Sequence, residues 1–150
     1  MNFTHLHVHT EYSLLDGSNK IKEYVERVKE LGMDSAAITD HGVMYGVIDF
    51  YRAAKAAGIN PILGCEVYVA PGSRFEREAG SGEDRYYHLV LLAENNRGYS
   101  NLMKIVSKGF VEGFYYKPRV DLELLEKYHE GLIALSACLA GEVARFLTRG

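Results

Sequence analysis

Four stretches of the chain, Ser35 to Thr39, Ile62 to Val69, Tyr87 to Leu92 and Leu132 to Ser136, are largely apolar, and the segments between them carry apolar residues every three or four positions. Runs of the first kind suit strands buried on both faces, and the periodic segments suit helices packed over them. Helices are expected over residues 20–31, 46–57, 96–110 and 121–128, with a last one from about 141 onward. If His5 to His9 forms the first strand, the chain holds about five βα units and a parallel α/β sheet. An open doubly wound sheet and part of a βα barrel both satisfy that pattern. Two segments stand outside it: a Gly-, Ser- and charge-rich loop from Pro71 to Asp84, expected to be mobile, and an interruption from Phe114 to Val120.

A length of 150 residues suits one domain. With a net charge of -3 there is no general basic field, so any contact with nucleic acid has to be local or lie outside these residues. No charged leader precedes an apolar run, and none of the runs approaches the roughly 18 residues of a membrane span. A cytoplasmic protein without a membrane partner is expected. Cys65 and Cys138 are too few for a disulfide framework and read as reduced thiols, one of them available to a metal.

The polar residues that break the apolar pattern are of one chemical kind. In an extended His5-Leu6-His7-Val8-His9 the three imidazoles share a face, with Leu6 and Val8 on the other. Rings two residues apart on a strand can converge on one ion, and neutral imidazole is a common zinc ligand. Asp16 follows in the next loop, Asp40 and His41 end the second strand, Glu66 interrupts the third, His88 lies near the start of the fourth, and Cys138 follows the fifth. Each alone has an ordinary explanation, such as a turn cap, a core histidine or a small buried thiol. Together they do not, because a carboxylate inside an apolar strand costs several kcal/mol unless a cation or partner offsets it. Imidazoles, carboxylates and a thiol gathered at strand ends point to a centre for more than one metal ion.

The segments His5-Leu6-His7-Val8-His9-Thr10, Thr39-Asp40-His41-Gly42, Gly64-Cys65-Glu66 and Ser136-Ala137-Cys138, in that order, resemble the motifs of the polymerase and histidinol phosphatase (PHP) family. Glu11-Tyr12-Ser13-Leu14-Leu15-Asp16-Gly17, Phe114 to Val120 and Ser136 to Glu142 narrow the likeness to the PHP domains at the amino terminus of bacterial replicative DNA polymerases. The resemblance implies a distorted (βα)7 barrel holding up to three divalent ions, zinc, manganese or iron. It implies His7, His9, Asp16, His41, Glu66, His88 and Cys138 as ligands, with Glu66 bridging and with Glu66, His9 and His41 nearest the chemistry. His5 and Asp40 then orient ligands from behind. The family's closing Asp-x-His pair does not occur in the chain. Residues 1–150 are therefore expected to form the amino-terminal part of a PHP domain, about five of its βα units, inactive when isolated.

The activity so implied is metal-dependent 3′–5′ exonuclease action on a primer end, within a DNA-directed polymerase whose other domains and replisome subunits are partners. Lys117 and Arg119 are candidates for holding DNA phosphates. Two alternatives remain at this stage: a metal-stabilised platform without catalysis, and a free-standing phosphoesterase of histidinol-phosphatase type.

Overall fold

In the computed structural model, the described residues are 3–77 and 85–149. The order of elements is α1 (Ile21–Glu30), β1 (Ser35–Ile38), α2 (Val47–Ala57), β2 (Asn60–Val69), β3 (Tyr87–Ala93), α3 (Asn96–Val111), β4 (Phe114–Tyr115), β5 (Lys117–Val120), α4 (Leu122–Tyr128), β6 (Leu132–Leu135) and α5 (Glu142–Arg149). The periodic segments fold as expected. On α1 the buried residues are Ile21, Val25 and Val28, and on α2 they are Val47, Phe50 and Ala54, one stripe per helix. These stripes close one core over Ala36 and Ile38 of β1. A second core packs Leu102 and Ile105 of α3 and Leu124 of α4 against Cys65, Val67 and Val69 of β2. Removing a side chain of this size from water stabilises by roughly 1.5–3 kcal/mol.

The sheet runs β4-β5-β2-β3-β6, with β1 also paired to β2. It is mixed, which corrects the parallel expectation. β1 and β5 lie parallel to β2, whereas β3 is antiparallel both to β2 and to β6. The cause is local to the sequence. A parallel neighbour needs a crossover, usually a helix, and the segment between β2 and β3 carries no helical pattern. Residues 114–120, expected only as an interruption, form a tight antiparallel hairpin in which Phe114 faces Pro118 and Tyr115 faces Lys117. Its turn residue, Tyr116, holds φ 61, a left-handed conformation uncommon for a bulky side chain.

The segment His5 to His9 is not a strand. It joins the sheet through Val8 alone, whose carbonyl accepts from Thr39 N at 2.7 Å while its own N–H donates to the Thr39 hydroxyl at 2.9 Å. Thr39 thus supplies both partners that a ladder would spread over two residues. Leu6, expected to fill the inner face, is 37% exposed.

The loop expected to be mobile is anchored over its described half, and residues 78–84 lie outside the described residues. Arg74 is 7% exposed. Its Nη1 donates to Asp121 at 2.9 and 3.1 Å and its Nε to Glu112 at 2.8 Å, while its backbone N–H also donates to Asp121, at 2.8 Å. Asp121 simultaneously caps α4, accepting from Leu124 N at 3.1 Å. One carboxylate therefore serves a helix start and a loop. Asp121→Ala is expected to destabilise the fold by about 3 kcal/mol, because it leaves the buried guanidinium short of its partner and uncaps α4. The shift in denaturant midpoint, with m unchanged, measures it.

Candidate metal centre

Side chains alternate along a strand, so with Cys65, Val67 and Val69 turned into the second core, Glu66 and Tyr68 project from the opposite face of β2. Glu66 is fully buried. Its Oε2 lies 2.9 Å from His7 Nε2, 3.1 Å from His9 Nε2 and 3.2 Å from His41 Nδ1, and its Oε1 lies 2.9 Å from His88 Nδ1. Cys138 Sγ is 3.9 Å from the same Oε1 and 3.6 Å from His88 Nδ1. On the outer side, Asp16 meets His41 Nε2 at 2.9 Å. The structure thus brings His7, His9, Asp16, His41, Glu66, His88 and Cys138 together.

The direction of β3 explains one member. His88 sits at the start of its strand, paired with Tyr68 near the end of β2, and it reaches the carboxyl edge of β2 only because β3 runs antiparallel. Cys138 arrives differently. Ala137 holds φ 62, the left-handed region, which costs a residue with a Cβ roughly 1–2 kcal/mol. That turn reverses the chain after β6 and brings the thiol to His88, and the loop is tied back by His88 N donating to Ala140 O at 3.0 Å. Gly42, after His41, has φ 67, and a Cβ there would lie 2.7 Å from the Tyr68 ring. Only glycine lets His41 turn in beside Tyr68.

Burial raises the pKa of the Glu66 carboxyl, but hydrogen bonds from His88, His9 and His7 outweigh it and hold the group ionised, far below the usual carboxylate range. Burial also lowers His9, yet the hydrogen bond and charge of Glu66 leave it above the ordinary imidazole value. His41, stacked on His9 at 4.0 Å, stays below that value, chiefly through burial. One carboxylate cannot offset several imidazolium rings in a buried site.

A cation fits this set of donors. Among the described residues His41 Nδ1, though 3.2 Å from Glu66 Oε2, is buried without a hydrogen bond. Two groups, His7-His9-Glu66 and His41-Glu66-His88, each place their ligand atoms within 4.8 Å of one another, and Glu66 belongs to both. Nitrogen and oxygen donors at this spacing, with a thiol alongside, suit divalent metal ions.

Behind the ligands stands Asp40. Its Oδ1 accepts from Thr10 N at 2.6 Å and from the Ser13 hydroxyl at 2.8 Å, and its Oδ2 from the Thr10 hydroxyl at 2.7 Å. Ser13 in turn lies 3.5 Å from His9 Nδ1 and accepts from His41 N at 3.2 Å. Asp40 therefore holds the loop that positions His9 and Asp16. Thr10 and Ser13 lie within the motif segments but were given no role there, and Tyr68, whose ring stacks on His41 at 6.2 Å, follows from its place two residues after Glu66. Among the described residues His5 shows no contact with a candidate ligand. It is exposed and packs edge-on against Phe3 at 4.8 Å.

Arg119 is a second correction. It is fully buried, and its guanidinium donates to the carbonyls of Gly113, Arg74 and Glu76 at 3.3, 3.2 and 2.6 Å. It braces the loop after β2 from beneath and is not presented to a phosphate. Lys117 faces the site, its Nζ 5.4 Å from the centre of the Tyr68 ring.

This mixed α/β frame, with a buried carboxylate ringed by imidazoles, places the chain in a known class. Residues 5–150 match the PHP domain family, and the chain belongs to it. DNA polymerase III subunit alpha of Treponema pallidum is 53% identical over 150 residues, covering 100% of this chain and 13% of that protein. Its counterpart in Aquifex aeolicus is 52% identical over 145 residues, covering 93% of this chain and 12% of that protein. The chain thus spans only a small part of the curated relatives it matches. Among solved structures, one described as a candidate metal-dependent phosphoesterase from Bifidobacterium adolescentis aligns with TM-score 0.50 and 21% identity, over 72% of this chain and 33% of that one. That likeness concerns the fold.

Asp40→Asn would turn an amide N–H toward Thr10 or Ser13, groups that now donate. Metal affinity is expected to fall about 10–100-fold, as for other losses behind a ligand shell, with little change in fold content. Metal titration followed by calorimetry, with circular dichroism as control, tests this.

Proposed function

We propose that the domain is a metal-dependent phosphodiesterase that removes nucleotides from the 3′ end of DNA, working within a longer, cytoplasmic DNA polymerase III alpha subunit. The observation that carries this reading is the convergence of four imidazoles on the one buried carboxylate of Glu66. The relatives' name supports DNA and the remaining polymerase domains as partners, with replisome subunits beyond them. The family resemblance read from the motifs supports a distorted barrel as the complete architecture, with residues 1–150 its amino-terminal part.

His7, His9 and Glu66 would hold one divalent ion, and His41, Glu66 and His88 a second, with Asp16 and Cys138 as adjoining donors. Such ions activate water and offset charge on the phosphoryl oxygens. The residues of the chain prepare the site. Glu66 shares its negative charge between the two groups, and Asp16 fixes the ring of His41 through Nε2, leaving Nδ1 turned inward. Asp40, through Thr10 and Ser13, keeps the ligand loop from rearranging when a substrate arrives. Lys117 is placed to attract a phosphate of the incoming strand. Hydrolysis of this kind requires no side-chain nucleophile.

Glu66→Gln keeps the shape of the side chain and removes its charge. In the full-length polymerase subunit the variant is expected to lose bound metal and 3′-end hydrolysis together, while nucleotide incorporation persists. Metal analysis by mass spectrometry alongside a nuclease assay on mismatched primer ends decides the matter. Hydrolysis surviving the loss of metal would overturn the reading.

A further inference from the structure

One side of the centre is aromatic. Tyr68, 5% exposed, meets His88 edge-on at 5.3 Å and Tyr86 edge-on at 4.8 Å, and Tyr86 lies parallel to His88 at 6.0 Å and 7°. The tip of the β4–β5 hairpin continues this wall. Tyr116 is 63% exposed, and the Arg85 guanidinium covers its ring at 4.2 Å. Lys117, the next residue, sits over Tyr68. The residues just before β3, Arg85 and Tyr86, and those of the hairpin tip, Tyr116 and Lys117, therefore each put a basic residue beside a tyrosine, and the two pairs meet at the rim of the same site.

Tyr116 meets the neighbouring Tyr115 ring edge-on at 4.7 Å, but the hairpin turn itself does not call for a large ring at this position. A glycine would take φ 61 without strain, and a small polar residue would suit an exposed hairpin turn. The chain instead holds a large ring in a disfavoured conformation and leaves most of it in solvent. Backbone strain kept in place by its surroundings, next to a reactive centre, is a mark of function. Alternating aromatic rings and cations are also what an unpaired nucleic-acid strand requires, since rings stack on bases of any identity while cations track phosphates.

We infer that Tyr116, with Arg85 and Tyr86, forms a stacking subsite for a base of the strand being hydrolysed, so that the centre acts on unpaired ends in preference to duplex ones. This rests on the phosphodiesterase reading and extends it to substrate selection. A base inside a duplex is already stacked on its neighbours and gains little from the ring. A frayed base gains the full contact. Tyr116 is a specificity residue in this assignment and takes no part in the bond-breaking step.

The test uses the full-length polymerase subunit and a pair of short oligothymidylates, one intact and one abasic at its 3′-terminal residue. The natural sequence is expected to show a KM about tenfold lower for the intact strand, the size of one base–aromatic stack. Tyr116→Gly, which relieves the backbone while deleting the ring, should raise the KM for the intact strand to that of the abasic one, and Tyr116→Phe should keep the preference. Independently of hydrolysis, an oligonucleotide ending in 5-iododeoxyuridine should photocrosslink to the peptide carrying Tyr116 or Tyr86. Crosslinking without any hydrolysis would keep the subsite and remove the nuclease reading. Hydrolysis with equal KM values for the two strands, or no crosslink to either peptide, would overturn the subsite.

Discussion

The carboxylate of Glu66 is the constraint to which the rest of the structure answers. A buried negative charge in an apolar strand is unfavourable by several kcal/mol until it is compensated, and the chain compensates it with four nitrogen atoms brought from three separate segments. Each segment had to be turned toward β2 by a different device. His7 and His9 come from an extended segment clamped by Thr39, His41 from the end of β1, and His88 from a strand of reversed direction. The electrostatic demand of one side chain and the topology of the sheet are thus two descriptions of the same arrangement.

The loop that carries Asp16 shows how polar burial is made tolerable at the edge of such a site. Thr10, Ser13 and Asp40 are all buried, and their donors and acceptors are matched to one another. A fully satisfied network of this kind is rigid, and a partly satisfied one would compete with the ligands for their protons. Arg74 and Arg119 tie down the chain where it leaves β2, Arg74 through carboxylates and Arg119 through carbonyls, although among the described residues the buried Nη1 of Arg119 has no hydrogen-bond partner.

Much of this was legible in the residues. Helix positions followed from apolar periodicity, and the strands from unbroken apolar runs, because both patterns are local. The side chains that converge on Glu66 were legible because they are conspicuous where they occur: Glu66 itself within Gly64 to Val69, and His88 within Tyr87 to Leu92. Strand direction was not read correctly, although the absence of a helical pattern between Val69 and Tyr87 was visible and bears directly on it. Arg119 was misplaced for a different reason. Its type suggested exposure, and only the tertiary structure shows that the carbonyls of Gly113, Arg74 and Glu76 converge on its guanidinium. Sequence spacing carries no signal of that convergence.

The left-handed turn at Ala137 has a bearing on how such a centre changes over time. The bend that delivers Cys138 is made by the backbone of the preceding residue and by the tie from His88 N to Ala140 O, and the Cys138 side chain takes no part in either. In the proposed centre, replacing the thiol by an imidazole would therefore alter the softness of one adjoining donor without calling on a different bend. Under the proposed function, metal preference would then answer to the side chain at position 138 separately from the scaffold. The left-handed residue before it is the part that has to be inherited intact.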